Sequence, residues 1–172
     1  MRKPNLFIVG AFKSGTTSLR DWLNQHPEIF MCTEADPHYF CQNTEFLMKN
    51  GERIENTEEN YLSLFSGAGE EKYVGEKSVH ELTSEAAARK IKEFSPDAKI
   101  IIMLRNPIDR IYSWHRALLW QGVETISDFG LALKAGQVRR KNPDEEFHPC
   151  DYMHFAKTYE QVKRYFDVFG KK

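Results

Sequence analysis

Residues 5–23 read NLFIVGAFKSGTTSLRDWL. The apolar run Leu6–Val9 predicts a short buried strand that stops at Gly10. Helical spacing takes over near Gly15-Thr16, with Leu19, Trp22 and Leu23 on one face, and ends before Pro27 with Asn24-Gln25-His26 as its frayed end. Such a strand, turn and helix bring unpaired backbone N–H groups and the positive end of a helix dipole to one point, which is a setting for an anion. Gly10 and Gly15 supply the turns, Thr16, Thr17 and Ser18 supply hydroxyls, and Lys13 supplies charge. The glycine spacing is that of a nucleotide-triphosphate loop, GxxxxGK[ST]. Here, however, Thr16 stands where that loop has its lysine, and Lys13 lies inside the loop. The plainer reading, a structural turn with a chance lysine, is disfavoured by the strand before it and the helix after it.

Outward from this unit the chain alternates strands and helices. Residues 28–60 are mixed, with EADPHYF (34–40) extended or turning, because a residue before proline is pushed out of helical space. A short helix is expected at about 58–66, ending at Gly67, and a strand at 72–78 (KYVGEKS). Thr83 or Ser84 is placed to cap a helix running to Phe94. KIIIML (99–104) reads as a central parallel strand covered on both faces. Asn106-Pro107 starts another helix, with Ile108, Ile111, Tyr112 and His115 on one stripe. The polar stretch 138–150 is expected as loop. An amphipathic helix over 151–168 carries Tyr152, Phe155, Tyr159, Val162 and Phe166. The order predicts one α/β domain over residues 1–172, three-layered and P-loop-like, with a central parallel sheet flanked by helices. In that architecture a further strand is expected after the last helix, where the sequence ends at Gly170-Lys171-Lys172.

The strand at 99–104 ends in Arg105, whereas nucleotide kinases and hydrolases commonly end a second strand in an aspartate that helps to hold magnesium. A guanidinium fork suits a phosphate. Parallel sheets bind ligands at the carboxyl ends of their strands, so Arg105 should face the same crevice as the glycine loop. Ser113, eight residues on and just over two helical turns away, adds a hydroxyl. Two anion-binding elements and no evident metal ligand suggest a ligand with two separated anionic groups. The alternative is a structural ion pair between Arg105 and Asp109 or another carboxylate.

Composition narrows the field. With 172 residues, 41% hydrophobic and 28% charged, the chain is an ordinary globular mixture able to bury one sizeable core. Its formal charge of -1 gives no global basic character for nucleic acid or a membrane surface, so any anion site is local. Cys32, Cys41 and Cys150 form no CxxC pair, which fits reduced thiols, and with the six histidines they lack zinc spacing. No run approaches the ~20 apolar residues of a membrane span. These features read as a soluble cytoplasmic protein.

At this point the residues resemble a known family, the PAPS-dependent sulfotransferases, particularly bacterial members akin to the heparan-sulfate sulfotransferase type. FIVGAFKSGTTSLRDWL is similar to the family's 5′-phosphosulfate loop and LRNPIDRIYS to its 3′-phosphate motif; HPEIFMCTEADPHYF and YLSLFSGAGEEKYVGEKS follow the family's order between them. The resemblance implies 3′-phosphoadenosine 5′-phosphosulfate (PAPS) as co-substrate, without a required metal. It implies that Lys13 stabilises the bridging oxygen while Ser14, Gly15, Thr16, Thr17 and Ser18 cradle the 5′ phosphate. Arg105 and Ser113 would bind the 3′-phosphate, and Lys77 would lie near the sulfuryl group and the acceptor. Family enzymes often place a glutamate base in a KEPHFF-like segment, which here reads Ala35-Asp36-Pro37-His38-Tyr39-Phe40. Asp36, one methylene shorter, is then the candidate base, with His38 and Glu76 as rivals and His80 as an acceptor-pocket candidate. Asp36 as a turn former and His38 as an interior histidine are the structural alternatives.

The acceptor is expected to be a small molecule or a glycan. Arg110, Arg116 and the Arg139-Arg140-Lys141 run invite a reading as a site for an acidic glycan, but a charge run is more often a solvated face, and Asp144, Glu145 and Glu146 follow at once. A P-loop nucleotide kinase or NTPase, and a truncated nucleotide-binding domain without catalysis, are the competing functions. An exposed sheet edge would favour homo-oligomers.

Overall fold

The structure is a computed structural model and describes residues 2–34, 36–41, 46–49, 52–139 and 148–170. Four parallel strands form the main sheet in the order β2-β5-β1-β6. They are β1 (Leu6–Gly10), β2 (Ile29–Met31), β5 (Tyr73–Lys77) and β6 (Lys99–Ile102). Between β2 and β5 lie an antiparallel hairpin, β3 (Phe46–Lys49) with β4 (Glu52–Glu55), and helix α2 (Glu58–Ser63). The other helices are α1 (Thr16–Leu23), α3 (Ala87–Phe94), α4 (Pro107–Trp120), α5 (Phe129–Arg139), α6 (Tyr152–Ala156) and α7 (Thr158–Phe169).

The expected α/β layering is present, and β1 organises it. Every residue of β1 is buried, and its side chains divide by strand alternation. Phe7 and Val9 enter a core with Tyr61, Phe65, Ala87, Ile91 and Tyr165 from the helices of one face, while Leu6 and Ile8 meet Leu19 and Leu23 of α1 on the other. Each such side chain contributes roughly 1.5–3 kcal/mol by leaving water. A third cluster joins Phe12 to Ile111, Leu118, Ala132, Tyr152 and Phe155, so that α4, α5 and α6 pack together beside the glycine loop.

Several expectations are corrected. The run at 99–104 is not the central strand: β6 is the edge of the described sheet, paired only with β1 and partly exposed. β5 and the all-buried β1 take the two interior places, because burial is set by which strand finds neighbours on both sides, not by how apolar its own run is. A groove of about 460 Å³ follows that edge between β6 and α7, lined by Ile100, Ile102, Val162, Tyr165 and Phe169. Helix α3 begins at Ala87 with Ala86 at its cap; the Thr83 hydroxyl donates to the His80 carbonyl in a turn instead. On α4 the buried residues are Arg110, Ile111, His115 and Leu118, and Ile108 and Tyr112 are exposed, so the stripe is rotated from the apolar one. The C-terminal helix is two helices, broken at Lys157, and the face of α7 that packs inward is Gln161 and Tyr165 rather than Tyr159 and Phe166. The first two residues of the expected 138–150 loop belong to α5, Arg140 to Phe147 fall outside the described residues, and the mixed stretch 28–60 contains β2, β3 and β4.

The other boundaries follow local chemistry. Asn106 caps α4, its side-chain oxygen accepting from the N–H groups of Ile108 and Asp109, with Pro107 in the first turn. Thr57 caps α2 by accepting from the Asn60 N–H. Cys32, Cys41 and Cys150 are buried. Among the described residues no helix is long and apolar enough to cross a membrane, and no group of three or more His, Cys, Asp or Glu side chains is placed to hold a metal ion.

Candidate functional site

Because the four strands are parallel, their carboxyl ends meet on one side, and the sequence-predicted residues follow those ends. After β1 comes the glycine loop. Gly10 has φ +149°, and a Cβ there would lie 2.8 Å from Leu82 Cβ and 3.0 Å from the Val79 carbonyl, so only glycine fits. Gly15, at φ +85°, caps α1 without a side-chain bond, leaving the N-terminal N–H groups of that helix directed at the loop. Thr16 is buried; Lys13, Gly15, Thr17 and Ser18 are exposed and Ser14 is half-buried, with its hydroxyl 3.5 Å from the Phe12 carbonyl.

After β6 comes Arg105. The backbone continues the β1–β6 pairing past the strand, with Ala11 N–H donating to the Met103 carbonyl and Met103 N–H to that of Gly10, each at 2.8 Å. The Arg105 guanidinium then reaches the loop itself, where Nη1 donates to the Lys13 carbonyl at 3.3 Å. It is exposed and bonded to the loop rather than to Asp109, so it keeps donors for an anion. Ser113 lies half-buried on α4, the helix that leaves this corner.

β5 ends in Lys77, in register with Ile8 of β1 and buried. Its ammonium is 2.5 Å from Asp36 Oδ2, and Asp36 Oδ1 accepts from Val79 N–H at 2.9 Å. Asp36 N–H in turn donates to the Lys77 carbonyl at 3.1 Å. Burial pushes the Asp36 carboxyl up, but the Lys77 charge, nearby His38 and the bonds from Lys77 and Val79 outweigh it and hold the group below the usual carboxylate range. Two residues on, His38 N–H donates to Ser78 Oγ at 3.0 Å. The His38 ring packs against that of His80, centroids 4.9 Å apart. Burial lowers both imidazoles, His38 to about 4 and His80 to about 3, so both are neutral at pH 7.

Among the described residues, the non-glycine residues with positive φ are Lys13 (56°), Asp36 (57°) and His38 (56°). Each such conformation costs on the order of 1–3 kcal/mol and persists only where the surroundings fix it. Backbone strain therefore falls on three of the residues singled out for chemistry, which residue types and spacing alone did not reveal. Glu76, a rival base, is fully buried and turned away into bonds with Tyr61 and Ser78, so it cannot reach an acceptor. The basic run also changes meaning: Arg139 pairs with Glu124 at 2.5 Å, Arg110 is buried against Phe12 and Phe155, and Arg140 and Lys141 lie outside the described residues. Glu124, which no sequence motif marks, holds this corner. It is a buried carboxylate that also accepts from Tyr152 OH and from the N–H groups of Thr125 and Ile126, and nothing local marks it as such.

A parallel sheet with a glycine loop after its inner strand and an arginine after the neighbouring strand defines an α/β domain of the P-loop-like class, with the lysine of the loop displaced. The comparisons sharpen this. Residues 3–169 match the Sulfotransferase domain family, and the chain belongs to it. The chain is 33% identical over 120 residues to the human bifunctional heparan sulfate N-deacetylase/N-sulfotransferase 1, a match covering 67% of this chain and 13% of that protein. Mouse carbohydrate sulfotransferase 15 is 27% identical over 147 residues, covering 64% of this chain and 26% of its own. A crystal structure of a sulfotransferase from Alicyclobacillus acidocaldarius superposes with a TM-score of 0.86 at 36% identity, covering 99% of this chain and 71% of that one. The chain thus spans about an eighth of the length of the heparan-sulfate relatives it matches.

Proposed function

We propose that the chain binds PAPS across the carboxyl ends of β1, β5 and β6 and transfers its sulfuryl group to a hydroxyl or amine, releasing 3′,5′-ADP. The observation that carries the reading is the contact of Arg105 Nη1 with the Lys13 carbonyl, which joins two anion-binding elements into one surface. The glycine loop, from Ser14 to Ser18, receives the 5′ phosphosulfate, and Arg105 with Ser113 receives the 3′-phosphate. A triphosphate-loop kinase is disfavoured by the displaced Lys13 and by the arginine at the end of β6.

In the transfer, the acceptor oxygen or nitrogen forms a bond to sulfur as the bond from sulfur to the bridging phosphate oxygen breaks. Lys13 stabilises the negative charge that develops on that oxygen. Lys77 stands at the sulfuryl group. The acceptor's proton passes to the Asp36 carboxylate, ionised at neutral pH and partly exposed, while His38 lies beside it as a neutral second base. Positioning and charge stabilisation supply most of the acceleration, by analogy with phosphoryl transfer. The named relatives act on heparan sulfate and carbohydrate, so a glycan is the acceptor class to test first, with small alcohols and amines beside it. The three buried cysteines, with no CxxC pair in the sequence, fit a cytoplasmic setting.

Calorimetry with 3′,5′-ADP, 5′-AMP and ATP–magnesium tests the donor. The expected result is a preference for 3′,5′-ADP. Equal affinity for 5′-AMP would overturn the 3′-phosphate assignment, and a preference for ATP–magnesium would reinstate the kinase.

A further inference from the structure

Beneath the Asp36–His38 loop lies a set of buried polar groups that the transfer chemistry does not use. Glu76, Ser78 and Glu81 are fully buried, at 0% exposure each, as is Tyr61. Glu76 Oε1 accepts from Tyr61 OH at 3.0 Å, and its Oε2 accepts from the Ser78 hydroxyl at 2.9 Å. The Ser78 proton is committed to Glu76, so its oxygen presents a lone pair, and that lone pair accepts His38 N–H at 3.0 Å. The chain of bonds has a direction: the carboxylate fixes the hydroxyl, and the hydroxyl fixes the backbone of the loop. Glu76 and Glu81 also interact directly, side chain to side chain. Burying two carboxyls and a phenol in this way is costly unless each is satisfied, and an apolar plug would fill the same space without that cost.

The loop above needs such a hold. Asp36 and His38 both sit at positive φ, on either side of Pro37, and non-glycine residues stay there only when held from several directions. Asp36 is held by Lys77 and by the Val79 N–H. For His38 the N–H is held by Ser78, and the carbonyl accepts from the Cys41 N–H at 3.1 Å. Next to it, Tyr39 stacks on Tyr61 with centroids 4.1 Å apart and planes within 5°, and Tyr61 is the other donor to Glu76. One carboxylate thus ties the loop at two successive residues, through Ser78 at His38 and through Tyr61 at Tyr39.

We propose that Ser78 and Glu76 are positioning residues for sulfuryl transfer, fixing the Asp36–Pro37–His38 loop so that the base faces the acceptor. The assignment rests on the donor and base reading given above. Ser78 and Glu76 are fully buried behind the loop, so their loss should leave donor binding intact and lower turnover.

The test uses the full chain with Ser78→Ala, which removes one oxygen, and Glu76→Gln, which keeps the volume. Three quantities are read: hydrogen exchange of the His38 amide by NMR without ligand, the dissociation constant of 3′,5′-ADP, and kcat for transfer from PAPS. In Ser78→Ala the His38 amide should exchange at least about tenfold faster, because its bond is gone. Turnover should fall on the order of tenfold or more through misplacement of the base. Affinity for 3′,5′-ADP should stay within about twofold, since the glycine loop and Arg105 are untouched. Glu76→Gln should shift the same quantities in the same directions. Unchanged exchange at His38, unchanged kcat, or a parallel loss of kcat and donor affinity would each overturn the proposal. Failure of the wild-type chain to bind 3′,5′-ADP is a separate result that removes the donor reading, and the exchange measurement still decides whether Ser78 holds the loop.

Discussion

Lys77 Nζ and Asp36 Oδ2 stand 2.5 Å apart, and the two residues come from segments forty-one positions apart in sequence. The lysine is buried and the aspartate partly exposed, so the pair lies at the boundary between the sheet and the crevice. In this arrangement the candidate base is also the anchor of a candidate catalytic lysine. An incoming sulfuryl group would compete for that lysine. Asp36→Asn should therefore abolish most turnover, by about 10²–10⁴-fold for loss of a positioned base. Affinity for 3′,5′-ADP should change little, and steady-state transfer beside calorimetry checks both. Full activity of Asp36→Asn would move the role to His38.

The same pair sets a pH dependence. The folded carboxyl of Asp36 is held below its ordinary range, so its contribution to stability is complete above the unfolded carboxylate value and is lost as pH falls through the folded one. Replacing Lys77 by Met removes the main group that opposes burial, leaving His38 and the Val79 N–H, and should raise the Asp36 titration. The acid limb of kcat/KM, or the carboxyl carbon shift of Asp36 followed by NMR, should move to higher pH. A limb that stays in place would show that another group titrates.

Arg105 gives the donor prediction. Charge-assisted bonds to a phosphate contribute about 1.5–3 kcal/mol each. Arg105→Ala should weaken 3′,5′-ADP by roughly 10–100-fold and leave 5′-AMP nearly unaffected, because the second ligand lacks the group this side chain is proposed to hold. Parallel losses for both nucleotides would instead mean that the bond to the Lys13 carbonyl shapes the loop as a whole.

The candidate anion elements are legible in the sequence because their chemistry is local. Glycines, hydroxyls and a lysine in one turn, and an arginine at the end of one apolar run, need no partner to be recognised. The class of fold followed from the alternation of strands and helices. What escaped depends on partners distant in sequence. β6 looked interior by composition, yet which strand has neighbours on both sides is decided by pairing, and β1 does. Arg110 belongs to a buried stripe because its stem and guanidinium pack on Phe12 and reach the Phe155 carbonyl, a contact no helical periodicity predicts. Helix α5 contains Gly130 and Gly136, and helix propensity does not favour it; Gly136 is accommodated because it packs closely on the Cys150 backbone. The bond from His38 to Ser78 spans forty residues, and both its value and the strain it offsets exist only once the loop is folded.

Glu124 carries a prediction far from the crevice. Burial pushes its carboxyl up, but Arg139, Tyr152 and the N–H groups of Ile126 and Thr125 hold it down at about 2. Stability from this site should be complete above about pH 4.5 and lost as pH falls toward about 2. Glu124→Gln leaves Arg139 without its partner and should destabilise the fold by roughly 3 kcal/mol or more, with urea midpoints converging on wild type in acid. Equal midpoints at neutral pH would show that α5 does not depend on this pair.

The buried acids under the loop should act in the opposite direction. Burial raises Glu76 and Glu81, and Glu81 rises further because Glu76 lies against it. A carboxyl whose folded pKa is raised favours the folded state fully below its unfolded value, about 4.5, and that advantage is lost as pH rises through the folded value. The folded chain therefore keeps a proton between these acids that the unfolded chain has released, and stability falls as pH is raised from about 5 to 8. Glu81→Gln supplies a permanent donor toward Glu76 and removes that proton uptake. Its melting temperature should consequently vary less than that of the wild type between these pH values, with the larger relative gain at pH 8. A variant whose melting temperature follows the wild type in parallel across the range would show that the two carboxyls do not share a proton.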